Sequence, residues 1–244
     1  MLDLVSTEIT KITRMKQMWV YASVLGIYIT MMSVYTAQAV GLFDQFIHLY
    51  KFSLSYTGFL LLPFILLSLS SSTISDDYRN EVMKNLTVIP ISKQKIIAAK
   101  LIAIYIVLSV AMVMIWISVC VIGYVTRFRF SMTWLLIFRY LWLCILTSLV
   151  IFLSMLPVTL ISVATKGNVV ITNLIGSMYI IASFFLTNFM NGIIPLATAP
   201  HIIWYGSMEG VEVNSNIALM VISIIFYTII VLFAMNKILK KQEL

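Results

Sequence analysis

The side chains of this sequence best suited to chemistry are two histidines, two cysteines and a run of serines, and their spacing joins none of them into a centre. His48 and His201 stand far apart, with neither an HExxH pair nor any close histidine spacing, so a zinc protease site is not indicated. Cys120 and Cys144 lie inside uninterrupted apolar runs and form no CxxC, which suits packing rather than redox or thiolate–metal chemistry. Ser68, Ser70, Ser71 and Ser72 crowd the end of another apolar run, but no His or Asp within these runs supplies the base that a serine nucleophile needs. Such hydroxyls more often serve helix packing. There is no GxxxxGK[ST] loop to cradle a nucleotide phosphate. The expectation is a chain with no catalytic centre, no resident metal and no cofactor.

The densest polar chemistry lies at 76–100, DDYRNEVMKNLTVIPISKQKIIAAK, which holds eight of the chain's 25 charged residues. Val82, Leu86 and Ile89 recur on one helical face with Met83 beside them, and Pro90 stops that helix. Ser92 is placed to cap the next helix by accepting a hydrogen bond from an unpaired backbone N–H. The pattern predicts a short amphipathic helix, a break, and a basic ramp through Lys93 and Lys95 to Lys100. A mere link between neighbouring helices would be shorter. This segment reads as one built to touch a partner.

The elements that carry these residues follow from composition. Of 244 residues, 61% are hydrophobic and 10% charged, whereas a soluble domain is about a quarter charged. The charges are clumped, leaving charge-free stretches at 17–43, 52–75, 101–126, 140–165, 167–208 and 213–236. Crossing a hydrocarbon core of ~30 Å takes a helix of about 20 apolar residues. Five stretches fit one crossing each. The sixth, 167–208, is long enough for more, but Asn188, Asn191, Gly192, Pro195 and Pro200 interrupt its second half. It reads as one crossing followed by a broken segment. Strands are disfavoured, because FLLLPFILLSLS at 59–70 is nearly continuous in apolar residues rather than alternating. Pro63 and Pro157 are expected to bend the second and fourth spans.

Six spans put both termini on one side. With that side cytoplasmic, it carries Lys11, Arg14, Lys16, Arg79, Lys84, Lys93, Lys95, Lys100, Lys166, Lys237, Lys240 and Lys241, against only Lys51, Arg127, Arg129 and Arg139 outside. The net charge of +7 is then explained by orientation and anionic headgroups, with no need for nucleic acid. At the N-terminus, Leu4, Val5, Ile9, Ile12, Met15 and Trp19 share one helix face, while Glu8, Lys11, Arg14 and Gln17 occupy the rest. Such a helix over 1–18 suits the headgroup layer, as a plain anchor or as an elbow packed beside the spans. At the opposite side, 191–214 is too apolar for a free loop and predicts a re-entrant or surface-lying helical piece, with His201 outside and Trp204 and Tyr205 at the interface. The spans lack the mid-membrane Asp, Glu or His on which ion-coupled carriers commonly depend. Any transport would need energy from elsewhere.

Glu81, Leu86, Pro90, Ser92, Lys100 and Leu101, set between an N-terminal amphipathic helix and the third of six spans, make the chain resemble the ABC-2 type permeases, in particular small subunits of lantibiotic-immunity and bacitracin-resistance exporters. The Gly-Thr pair often seen in that family's coupling helix is absent, with Met83, Lys84 and Asn85 in its neighbourhood. The resemblance implies a single all-α transmembrane domain over 1–244 with an elbow helix, a cytoplasmic coupling loop at 76–100 and an extracytoplasmic segment at 191–214. It implies contact with an ATPase through Glu81, Val82, Leu86, Ile89, Pro90, Ser92 and Lys100. The expected partners are two cytoplasmic ABC ATPase subunits, which bind ATP and Mg, and a second permease, identical or homologous. The expected activity is export of a hydrophobic or amphipathic lipid or peptide, such as a lantibiotic, from a bacterial cell membrane. A membrane scaffold or immunity protein that sequesters a peptide is the alternative, and an ion-coupled carrier a weaker one.

Overall fold

A computed structural model describes residues 1–38, 45–79, 92–187, 189–190, 192–203 and 216–241. Every element among them is helical. In chain order these are α1 (Leu2–Arg14), α2 (Gln17–Gln38), α3 (Phe46–Tyr56), α4 (Leu62–Arg79), α5 (Lys93–Val125), α6 (Trp134–Ser154), α7 (Leu156–Ala164), α8 (Val169–Phe185), α9 (Pro195–Ile203) and α10 (Ile217–Lys241).

Five helical stretches among the described residues are long and apolar enough to cross a membrane: Gln17–Gln38, Phe46–Arg79, Lys93–Val125, Trp134–Ala164 and Ile217–Lys241. The chain is therefore an all-α, multi-pass membrane protein. Two of these stretches outrun their apolar cores. Phe46–Arg79 and Lys93–Val125 both carry helix into the charged 76–100 segment, because the backbone hydrogen-bond ladder does not end where hydrophobicity does. The fifth predicted crossing appears as α8, which is apolar but only 17 residues long, about 26 Å at 1.5 Å per residue.

Both prolines fall at or beside interruptions of the regular α-helix. Pro63 cannot donate to the carbonyl one turn earlier, and just before it the chain widens into a π-helical turn at Thr57–Leu61 that joins α3 to α4. Pro157 lies in the first turn of α7, and Met155, at φ −95° and ψ −1°, separates α7 from α6. The span Trp134–Ala164 is thus two helices meeting at a break.

The buried core runs through α3, α4, α5 and α6, with Tyr50 and Tyr140 stacked at its middle, 5.3 Å between ring centroids. A second cluster of Ile74, Ile97, Leu101, Leu156, Val163, Val231, Met235 and Leu239 joins α4, α5, α7 and α10 at the end where the basic residues gather. By contrast α2 is loosely held, burying only Tyr21, Met32 and Thr36. Its outward apolar side chains, such as Val24, Ile27 and Met31, are those of a lipid-facing helix.

The segment with the prolines folds inward. Helix α9 is almost wholly buried against α6, α8 and α10, and polar groups next to it meet partners, as a dry interior requires. Ser154 Oγ donates to the Pro195 carbonyl at 3.1 Å, while the Tyr179 hydroxyl donates to the Ser154 carbonyl at 3.0 Å and accepts from Leu196 N–H at 3.2 Å. His201, on the segment read as re-entrant or surface-lying, is buried, with Nε2 3.0 Å from the Thr187 carbonyl. The reason is that α9 turns its whole length into the bundle. Trp204 and Tyr205 lie outside the described residues.

Candidate functional site: a buried charge cluster

Three helices converge at the basic end of the bundle, and each brings an ionisable residue on its buried face. On α1 the buried positions are Val5, Glu8 and Ile12, three and four apart and so on one stripe. On α4, Ser70, Thr73, Ile74 and Asp77 repeat that spacing, and on α5 so do Ile96, Ile97, Lys100, Ala103 and Ile104. The local helical register therefore aims Glu8, Asp77 and Lys100 at one point.

At that point the Lys100 ammonium is 3.1 Å from Glu8 Oε2 and 3.0 Å from Asp77 Oδ2, and it donates a hydrogen bond to the Thr73 carbonyl at 2.8 Å. Three oxygens surround a group with three N–H bonds. Lys100 is about 3% exposed in its side chain, Glu8 7% and Asp77 5%, so these charges are cut off from water. Lys11 completes the cluster from the rim: its ammonium donates to Glu8 Oε1 at 2.6 Å and lies 3.9 Å from Asp77 Oδ1, with its side chain half-exposed. Two carboxylates and two ammoniums balance, which is the condition for keeping charge buried.

The electrostatics follow from the geometry. Burial pushes the Glu8 carboxyl up, but the charges of Lys100 and Lys11 and their hydrogen bonds outweigh burial and hold it below its ordinary value. Burial likewise pulls the Lys11 ammonium down, and the hydrogen bond and charge of Glu8, with the charge of Asp77, overcome it and leave it raised.

A tight turn braces the site from behind. After α7 the chain reverses through Lys166 at φ 53° and Gly167 at φ 76°, and Gly167 N–H reaches the Ser162 carbonyl at 2.8 Å. A Cβ on Gly167 would stand 2.8 Å from the Ser75 Cα. Only glycine allows this turn to press on α4 one half-turn before Asp77.

Of the residues the sequence pointed to, Glu81, Val82, Leu86, Ile89 and Pro90 lie outside the described residues. Ser92 takes the N-cap position of α5, where its backbone carbonyl accepts from Lys95 N–H at 2.9 Å, but its side chain makes no capping hydrogen bond. Lys100 stands at the end of the basic ramp, in the first turns of α5. It is turned into the bundle, because it shares the α5 stripe with Ile97 and Ile104. Glu8 is a correction: assigned to the water face of α1 by its charge, it sits on the buried stripe with Val5 and Ile12. Trp19, expected on the apolar face, is 80% exposed, because α1 ends at Met15 and the next helix has its own register. Asp77 and Lys11 belong to the cluster without having been singled out.

The cluster's contacts are ion pairs and hydrogen bonds among Glu8, Lys11, Asp77, Lys100 and the Thr73 carbonyl. Among the described residues no group of three His, Cys, Asp or Glu could hold a metal ion. The cluster is an ion network that joins α1, α4 and α5. The 80–91 segment departs three residues beyond Asp77 and returns two turns before Lys100, so both its roots are fastened to α1 at one place.

Comparison with curated proteins finds no significant match. The family described as ABC-2 family transporter protein matches residues 4–183, a stretch that includes most of α1, the whole charge cluster and the helices from α2 to most of α8. With well over half of its length matched, this chain belongs to the ABC-2 family of membrane transporter proteins.

Proposed function

We propose that this chain is the permease subunit of an ATP-driven exporter, powered by a separate cytoplasmic ATPase that docks on the 80–91 segment. The observation that carries this reading is the buried Glu8–Asp77–Lys100 tie, which fastens both roots of that segment to the N-terminal helix. A docking segment anchored in this way moves three helices when it is pushed. Lys100, being buried, acts through Glu8 and Asp77 rather than by touching the ATPase.

In this reading α1 is the elbow helix and α8 is the fifth of six spans. The Lys/Arg asymmetry then orients both termini and the charge cluster to the cytoplasm. Two ATPase subunits serve a pair of permeases, this chain with an identical or homologous copy, in a bacterial cell membrane. Helix α9 is the part of 191–214 that re-enters the bundle. The substrate is hydrophobic or amphipathic, such as a lantibiotic or another antimicrobial peptide. That class is supported by the apolar bundle and by the resemblance of the 81–101 sequence to lantibiotic-immunity permeases.

The test is to make Leu86→Glu and Ile89→Glu in the full chain, co-expressed with its ATPase. Co-purification of the ATPase and ATP-dependent peptide export should both fall. A complex and an export rate equal to those of the unaltered chain would overturn the proposal.

A further inference from the structure

A crevice of about 430 Å³ opens between α1, α2, α4 and α5, within the range of about 300–1,000 Å³ usual for small-ligand sites. It is lined almost entirely by apolar side chains; Thr13 and Tyr21 are the exceptions, and the Tyr21 hydroxyl is already engaged with Ser68 Oγ at 2.9 Å. Along α2 the lining runs from Met18 to Ile29, about 16 Å at 1.5 Å per residue. That length is close to half of a ~30 Å hydrocarbon core, the depth of one leaflet. A slot with these dimensions fits a single hydrocarbon chain entering from the bilayer.

The two ends of the crevice differ in charge. At one end the lining includes Ile9 and Thr13 of α1 and Met18 of α2, and the exposed Arg14 and Lys16 sit in the sequence between those residues. The nearest buried acids, Glu8 and Asp77, already face Lys100 and Lys11, so they do not cancel this basic rim. At the far end Ile29 and Met114 are surrounded by apolar helix surface. An apolar slot one leaflet deep with cations at its headgroup end is complementary to an anionic amphiphile of the membrane.

We propose that the crevice holds one acyl chain of an anionic phospholipid from the leaflet on the basic side, with the lipid phosphate against Arg14 and Lys16. The lipid fills the gap that leaves α2 loosely packed, and it wedges the first span against α5. This site is independent of any ATPase.

Gly26 gives the direct test, since it lines the crevice and a Cβ added there meets nothing within 4 Å. Gly26→Phe should place a ring in the slot without a backbone clash, and it replaces the residue least suited to a helix after proline. Arg14→Gln/Lys16→Gln removes the rim charge at exposed positions. The full chain in mild detergent is titrated with phosphatidylglycerol or with phosphatidylcholine of the same acyl chains, and bound lipid is counted by native mass spectrometry. Phosphatidylglycerol should be retained severalfold better than phosphatidylcholine. Each variant should lose that advantage while keeping the thermal unfolding profile of the unaltered chain. Equal retention of the two lipids, or unchanged phosphatidylglycerol occupancy in either variant, would overturn the proposal. So would Gly26→Phe splitting a two-copy complex with lipid occupancy unchanged, which would assign the crevice to a second copy of the chain.

Discussion

Replacing Lys100 by methionine isolates the charge cluster with little change of volume. The substitution removes an ammonium 3.0 Å from Asp77, 3.1 Å from Glu8 and hydrogen-bonded to the Thr73 carbonyl, while the thioether chain can still fill the slot between α1 and α4. Two carboxylates then remain buried with only the half-exposed Lys11 beside them. Removing one partner of a buried ion network costs about 3–5 kcal/mol, most of it the penalty of the charge left behind. For a chain of this size that corresponds to a melting temperature lower by on the order of 10 °C. With the half-buried Cys120 replaced by serine, the chain carries its own reporter: Cys144 is fully buried in α6 and becomes open to a maleimide dye when the bundle unfolds. Labelling against temperature in detergent therefore reads the loss.

Glu8→Leu/Asp77→Leu/Lys100→Met removes all three buried charges together and leaves only a solvated lysine. An apolar replacement of a whole buried network is often neutral or better, so the triple variant should recover most of the stability that Lys100→Met loses. A single variant that melts with the unaltered chain, or a triple variant no better than the single, would refute the account of the cluster as a mutually dependent buried network.

Three further outcomes are expected. Because the folded Glu8 carboxyl lies below its ordinary value of 4.5, its contribution is present above that value and is lost as pH falls through the folded value; acid should lower the melting temperature, and Glu8→Gln should flatten that dependence. Gly167→Val forces a β-branched residue to φ 76° with its Cβ against Ser75, which should cost roughly 1–3 kcal/mol in the same labelling melt. Tyr179→Phe leaves the Ser154 carbonyl and Leu196 N–H without the hydroxyl they share, a loss of about 1–3 kcal/mol; a cysteine placed at the buried Ala199 should react faster with a thiol reagent in that background.

What could be read from the sequence was governed by how much of the signal is a sum over many residues. Five spans emerge from runs of apolar side chains, and Pro63 and Pro157 mark their bends, because a missing N–H acts wherever it falls. The cluster escaped because its members were read by residue type. Glu8 was placed on the polar face by its charge and Lys100 was read as the end of a basic ramp, although the 5, 8, 12 spacing on α1 and the 97, 100, 104 spacing on α5 placed both on apolar stripes. Periodicity was the better guide, and a charge on a buried stripe was itself the sign that a partner lay elsewhere in the chain. The burial of His201 was not legible for a different reason. Two prolines and a glycine argued for an irregular outer segment, but polar groups around α9 find partners in Ser154, Tyr179 and Thr187, and those are contacts between distant parts of the sequence.

The choice of ions at this junction has a physical sense that stability alone does not supply. An apolar joint between α1, α4 and α5 would hold as well, and the neighbouring cluster of Ile74, Ile97 and Leu101 shows that the fold can build one there. Apolar contacts slide at little cost, whereas the Lys100 ammonium is paired with Glu8 and Asp77 and hydrogen-bonded to the Thr73 carbonyl, contacts that depend on distance and so resist sliding. On the proposed reading, that stiffness is what lets a push on 80–91 reach the elbow helix and the spans as one displacement rather than dissipate between them. Lys100→Met should then uncouple ATP hydrolysis from export more than it weakens ATPase binding, whereas Leu86→Glu should weaken binding first.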